Sequence, residues 1–268
     1  MKQFDLFKNS LMNEELNEYG YIKVEFFNQE ELDALREFYF ECHPDSFESG
    51  YFDGIHMTTW CDNQTHKDKV RLGLAKLFSK ACDRVFHKYR ALNHVFILKN
   101  PGMETEFDVH QDWSIVDESE FASVNVWAPL FDVDVESGSL GVLPESHKFG
   151  APLRGAGCLF PNYSEKKKEF ESDMHSVNVR AGEALIFFHA TIHGSPPNLS
   201  DSKRIVAVNS IVPEDAPLRI NFRKSESDPI EVYEPNDDFV YEYENIRLES
   251  EIIPPKGKLI KNIIPEAF

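Results

Sequence analysis

The chain has 268 residues, 41% hydrophobic and 28% charged, a balance that belongs to globular proteins rather than to disordered or membrane chains. A formal net charge of −18 sets its surface against phosphate backbones and acidic lipid, so neither nucleic acid nor a membrane is expected as a partner. Twenty-two phenylalanines, with no apolar run of membrane-spanning length, point to a sheet-rich core or a large apolar pocket.

Residues 1–11 show no signal-type apolar stretch, and Cys42, Cys61, Cys82 and Cys158 form no C-x-x-C pair, so a cytoplasmic protein with reduced thiols is expected. Residues 21–27, after Gly20, read as a short strand. Asn28 and Glu31 have the spacing of a capping box, and Leu32, Leu35, Phe38 and Tyr39 then recur at helical spacing. A second helix is expected over 67–89, with Val70, Leu74, Leu77, Phe78, Ala81 and Val85 on one face. Beyond Arg90 the pattern becomes short apolar runs between turn residues, giving expected strands at 94–98, 106–110, 123–130, 139–143, 176–179, 184–189 and 204–212. The expected fold is mainly β, a sandwich or jelly roll behind N-terminal helices. Two segments stand outside the pattern: an insertion at 144–173 with Lys166, Lys167 and Lys168, and an acidic, aromatic tail from Pro213. With no repeat or low-complexity linker, one domain over 1–268 is expected. It divides into a helical layer (1–91), a β core (92–212) and a C-terminal extension (213–268).

Residues i and i+2 of a strand face the same side, so His-x-Asp on a strand aims an imidazole and a carboxylate at one point. A further His from a neighbouring strand completes a facial triad suited to non-haem Fe(II), with three positions left open. The chain holds three such pairs: His43/Asp45, His66/Asp68 and His110/Asp112. The first falls at a helix end beside Pro44. The second falls at a helix start, where an acid is explained by the dipole. Only His110/Asp112 ends a β-like run. For the third ligand, His189 and His193 both qualify, and periodicity does not choose between them. Arg204 opens an apolar strand, where a guanidinium is costly unless paired, and its planar fork suits a carboxylate.

Four blocks in order resemble the phytanoyl-CoA dioxygenase family: His110 to Trp113, Val124 to Leu130, Glu136 to Lys148, and Gly182 to Ser195. The resemblance covers roughly 92–212, and Glu18 to Val24 is similar to the family's usual entry. It implies a double-stranded β-helix (jelly roll, cupin-like) core with the N-terminal helices packed outside. It also implies iron held by His110, Asp112 and His193. His193 stands in the His-Gly-Ser position of the family's ligand, and His189 takes its non-ligand place. Arg204, eleven residues after His193, matches the 2-oxoglutarate-binding Arg, and Ser195 and Trp127 match further cosubstrate contacts. The strand before His110 supplies another, from Asn93, Val95 or Lys99. The family's Pro-Gly-Ser-His becomes Pro144-Glu145-Ser146-His147, with His147 read as a hydrogen-bonding residue at a turn.

The implied activity is that of an Fe(II)- and 2-oxoglutarate-dependent dioxygenase using O2, a hydroxylase of a small metabolite or natural-product intermediate that releases succinate and CO2. Asp112 argues against halogenation, because related halogenases lack that carboxylate. His56, Trp60 and Trp113 are candidates for lining the substrate pocket. Two rival readings are a non-catalytic cupin-like binding protein and a metal enzyme independent of 2-oxoglutarate.

Overall fold

A computed structural model of the chain describes residues 2–44, 47–150, 153–159, 163, 167–170, 172–242 and 254–264. Helix α1 (Ser10–Tyr19) is capped by the Asn9 side chain and stopped by Gly20, whose φ of 85° is left-handed. Strand β1 (Tyr21–Glu25) leads to α2 (Gln29–Cys42), where Asn28 and Glu31 make both bonds of a capping box. A hairpin of β2 (Tyr51–Phe52) and β3 (Ile55–Met57) precedes α3 (Gln64–Val85). The β core follows as β4 (Tyr89–Lys99), β5 (Phe107–His110), β6 (Val124–Pro129), β7 (Gly141–Val142), β8 (Gly155–Gly157), short helix α4 (Lys167–Phe170), β9 (His175–Ser176), β10 (Glu183–Phe188), β11 (His193–Ser195) and β12 (Arg204–Pro213). The tail adds β13 (Ile220–Arg223), β14 (Ile230–Glu234), short helix α5 (Phe239–Glu242) and β15 (Lys258–Ile263).

The strands form two facing sheets and one appended sheet. The major sheet runs β1-β10-β6-β12-β4-β3-β2, and the minor one β5-β11-β7-β9. Alternation divides each central strand between two layers. Val124, Val126 and Ala128 of β6 pack with Leu16, Leu35, Leu74 and Phe78 of the helices. Trp127 of the same strand joins Val206, Val208, Leu185 and Phe187, with Val142 of the minor sheet, in the space between the sheets. This is the expected jelly roll with helices outside. Burial of each large side chain in these layers contributes roughly 1.5–3 kcal/mol.

The structure departs from the expected elements in ways that bear on the site. Helix α1 is mostly polar, with only Asn13 and Leu16 buried, so its periodicity is weak. The first ninety residues also supply strands to the major sheet, β1 at one edge and the β2–β3 hairpin at the other. The expected strand 176–179 is β9 at 175–176 plus an isolated bridge from Val179 to Val133. The described residues of the tail add a third sheet, β15-β14-β13-β8, in which β8 of the insertion pairs parallel with β13. Among the described residues no helix is long and apolar enough to cross a membrane. All four cysteines are free thiols.

Candidate metal centre

Strands β5 and β11 lie antiparallel in the minor sheet with His110 directly opposite His193. Gly194 suits the close approach, because a Cβ there would stand 3.1 Å from the Phe107 carbonyl oxygen and 3.2 Å from the Val109 Cα, tighter than ordinary contact. The two imidazole rings are 4.3 Å apart between centroids. Asp112 lies just past the end of β5, where its amide donates to the His189 carbonyl at 3.0 Å. Its carboxylate faces both rings, with Oδ1 3.8 Å from His110 Nε2 and Oδ2 3.7 Å from His193 Nε2. One ligand atom from each of the three lies within 4.8 Å of the others.

The surrounding bonds prepare these atoms for a cation. His110 Nδ1 is 2.7 Å from the Asp108 carbonyl and His193 Nδ1 is 2.9 Å from the Thr191 carbonyl. A proton donated from each Nδ1 leaves Nε2 as the lone-pair atom of the neutral ring. Burial, then the neighbouring His193, pushes the His110 imidazolium down to about 4, so the ring is neutral near pH 7. Burial alone would raise Asp112, but His193, His189, His110 and Arg154 outweigh it and hold the carboxyl below its ordinary value. The donor set is therefore two imidazole nitrogens and one carboxylate on one side of a centre, which fits Fe(II).

Asn125 of β6 orders the carboxylate from behind. Its Nδ2 donates to Asp112 Oδ2 at 2.7 Å, and its Oδ1 accepts from Ser210 Oγ at 2.6 Å and lies 3.1 Å from His189 Nε2. His189 is thus tied to Asn125 and lies outside the three-residue cluster. His147 reaches the Asn17 carbonyl at 3.1 Å, and the Gly20 carbonyl accepts from Phe188 N and from Thr191 Oγ1. The end of α1 therefore holds the turn that delivers His193.

A second group of polar residues is buried at the start of β12. Arg204 is 5% exposed, donates from Nη1 to the Gly138 carbonyl at 2.6 Å, and has its guanidinium carbon 5.5 Å from the Trp127 ring centroid. Its Nε has no partner, and no carboxylate among the described residues forms an ion pair with it. Burial pushes this guanidinium down to about 9. Lys99 stands opposite Arg204 in the β4–β12 register. Its Nζ donates to Ser195 Oγ at 2.6 Å, to the Ser195 carbonyl at 3.1 Å and to the Pro196 carbonyl at 2.8 Å. Burial, then the charge of Arg204, pushes this ammonium down to about 6. Ser195, Trp127 and Lys99 thus surround the buried Arg204 guanidinium, which has no counter-charge among the described residues and which an anion would relieve.

Other expected positions fall elsewhere. His43 caps the C-terminal end of α2, and His66 lies in the first turn of α3; Asp45 is outside the described residues. His56 is fully buried against His43 and Phe47, Trp60 lies in a 3-10 turn, and Trp113 packs beside Ile115 and Val212. Lys168 is exposed, while Lys166 and the Lys167 side chain lie outside the described residues. Asn125, Gln111, Arg154 and Tyr163 were not singled out by spacing. Gln111 lies within residues 109–112, beside His110 and Asp112, and the other three bond to that segment.

Comparison with known proteins adds three findings. Residues 16–206 match the phytanoyl-CoA dioxygenase (PhyH) family. The chain is 28% identical over 117 residues to "Phytanoyl-CoA dioxygenase domain-containing protein 1 homolog" of Dictyostelium discoideum, covering 41% of this chain and 42% of that protein. It is 30% identical over 138 residues to "Phytanoyl-CoA dioxygenase" of Arabidopsis thaliana, covering 48% and 47%. The matched stretches thus span less than half of these curated relatives. Among solved structures, the epimerase SnoN, in complex with Fe3+, alpha ketoglutarate and nogalamycin RO, shares the fold with a TM-score of 0.54 and 16% identity over 94% of this chain and 96% of that one.

Proposed function

The chain belongs to the phytanoyl-CoA dioxygenase family, and on that premise we propose that it is an Fe(II)- and 2-oxoglutarate-dependent dioxygenase, hydroxylating an unactivated carbon of a small metabolite or natural-product intermediate. The observation that carries this reading is the convergence of His110, Asp112 and His193 with both imidazole Nδ1 atoms committed to backbone carbonyls. In this reading those three residues hold iron. Arg204, with Lys99, Ser195 and Trp127 around it, receives the distal carboxylate of 2-oxoglutarate. Iron and 2-oxoglutarate supply the oxidising chemistry when bound, consuming O2 and releasing succinate and CO2.

The protein's part is geometry. Asn125 keeps Asp112 Oδ2 turned toward the histidines, and the β5–β11 register keeps the rings opposed. Arg204 and Lys99 orient the cosubstrate through charge-assisted bonds in a place closed to bulk water, where such bonds are stronger. The carboxylate at position 112 supports hydroxylation over halogenation, because it fills the position a halide would need. We read 1–268 as one unit in which the helical layer, the insertion and the tail shape the substrate side. The negative surface favours a substrate without a large polyanionic handle.

The test is succinate formation from 2-oxoglutarate in air with Fe(II), across a panel of small metabolites. Stimulated succinate release that vanishes on chelation is expected. Tight cosubstrate binding with no succinate under any substrate would favour a binding protein instead.

A further inference from the structure

The ligand strand ends at His110, and residues 111–123 run without regular structure to β6, so no sheet ladder fixes Asp112. Two of its bonds come from the barrel, its amide to the His189 carbonyl and Asn125 Nδ2 to its carboxylate. The third comes from the insertion. Arg154 is fully buried, and its Nε donates to the Asp112 carbonyl at 2.7 Å. Its Nη2 donates to Glu118 Oε1 at 2.6 Å, so one guanidinium ties the start of the loop at Asp112 to its middle at Glu118. Nη1 is buried with no acceptor, which leaves these two bonds to set the orientation of the group.

Arg154 is itself anchored. Its carbonyl accepts from Asn221 Nδ2 at 3.0 Å, and β8, which begins at the next residue, pairs with β13 of the C-terminal sheet. The insertion grips the same segment nearby, with Tyr163 N donating to the Val109 carbonyl and Tyr163 Oη to Gln111 Oε1, both at 2.8 Å. A buried ion pair is weak as a stabilising device, because desolvation offsets most of its attraction. Its value here lies in direction: a planar fork fixes a backbone carbonyl whose own side chain faces the metal centre.

We propose that Arg154 is a positioning residue of the metal centre, holding Asp112 in its ligating place through the Asp112 carbonyl and tying that place to the C-terminal sheet. This rests on the assignment of Asp112 as a metal ligand. The experiment is anaerobic titration of the full chain with Mn(II), following the free-ion signal by electron paramagnetic resonance, alongside melting of the metal-free protein.

Arg154→Lys retains a charge for Glu118 but cannot reach both partners. Its Mn(II) dissociation constant is expected to rise about 10–100-fold, the usual effect of removing a group that orients a ligand, with little change in metal-free melting. The double variant Arg154→Met/Glu118→Gln removes both charges together, leaves no unpaired buried ion, and is expected to show the same loss. Wild-type Mn(II) affinity in either folded variant overturns the proposal, and Arg154→Lys decides it if the double variant does not fold. Asp112→Ala separates the two levels. If Asp112→Ala also binds Mn(II) as tightly as wild type, the ligand assignment has failed, and the role of Arg154 falls with it.

Discussion

Arg204 brings a guanidinium into the core with no ion-pair partner among the described residues, so its role can be weighed by removing it. Arg204→Met should leave the cosubstrate-free protein as stable as before or more so, by up to about 4 kcal/mol, because replacing a buried charge by an apolar side chain is often favourable. The same variant should lose about 2–5 kcal/mol of 2-oxoglutarate affinity, the scale for truncating a buried charge partner. Melting curves with and without 2-oxoglutarate check both; a large fall in cosubstrate-free melting temperature would make Arg204 structural. Lys99 makes a second prediction. Its ammonium is pushed down to about 6 when the site is empty of counter-charge, so a bound carboxylate should raise it and draw in a proton. Calorimetry near pH 7.5 in buffers of different ionisation enthalpy should show proton uptake on 2-oxoglutarate binding and weaker binding as pH rises; no uptake would contradict it. At this scale the anomaly at Arg204 was legible, since a guanidinium at the head of Ile205-Val206-Ala207-Val208 is costly unless paired, and it is buried. Lys99 was legible only as one of three positions, because the β4–β12 register that sets it opposite Arg204 is a property of the paired strands. Asn125 and Arg154 act through other residues, and no spacing marks such a role.

At the scale of elements, α2 was read from its cap, and the cap can be tested alone. Asn28→Ala removes the bond to the Glu31 amide and is expected to cost about 1 kcal/mol, lowering the melting temperature by roughly 2–4 °C without changing metal affinity. An unchanged melting temperature would show that packing of α2 against α3 makes the cap redundant. The elements that escaped the sequence share physical reasons. Strand β11 is three residues long and begins at a ligand, while β8 is Gly155-Ala156-Gly157, with no residue of high strand propensity. Both are strands only because neighbours pair with them. Strands β10 and β12 are buried along nearly their whole length, so the alternation that marks a half-exposed strand is absent there, though their apolar runs were visible. The tail's acidic, aromatic composition concealed β13 and β14, whose partners are each other, β8 and β15.

For the whole molecule, the histidines set an acid limit on stability. Burial first pushes His43 down to about 3, and His56, His94, His110 and His189 to about 4. These folded values lie below the unfolded value near 6.5, so the unfolded chain binds more protons as pH falls. Their contribution is complete above about pH 6.5 and is lost on acidification toward 4, each group adding up to about 1.4 kcal/mol per pH unit to the slope. Lys99, pushed down to about 6, adds one proton-linked step across pH 8 to 7. Melting of the metal-free protein should therefore fall modestly from pH 8 to 7, through Lys99 alone, and more steeply from pH 6.5 to 5, where the histidines join it; a flat profile would contradict this burial pattern. The jelly roll, its helical layer and the family blocks were legible together because they lie in order along the chain. The arrangement of the insertion and the tail, which we propose shape the substrate side, was not, since it depends on pairing between β8 and β13. The claim on which the rest depends is that His110, Asp112 and His193 form one iron site. Anaerobic calorimetry of Fe(II), followed by 2-oxoglutarate, tests it most directly in the wild type, Asp112→Ala and His193→Ala. The wild type should bind one Fe(II) and then one 2-oxoglutarate, and both variants should lose the Fe(II) step; Fe(II) binding of wild-type strength in either variant would contradict the account.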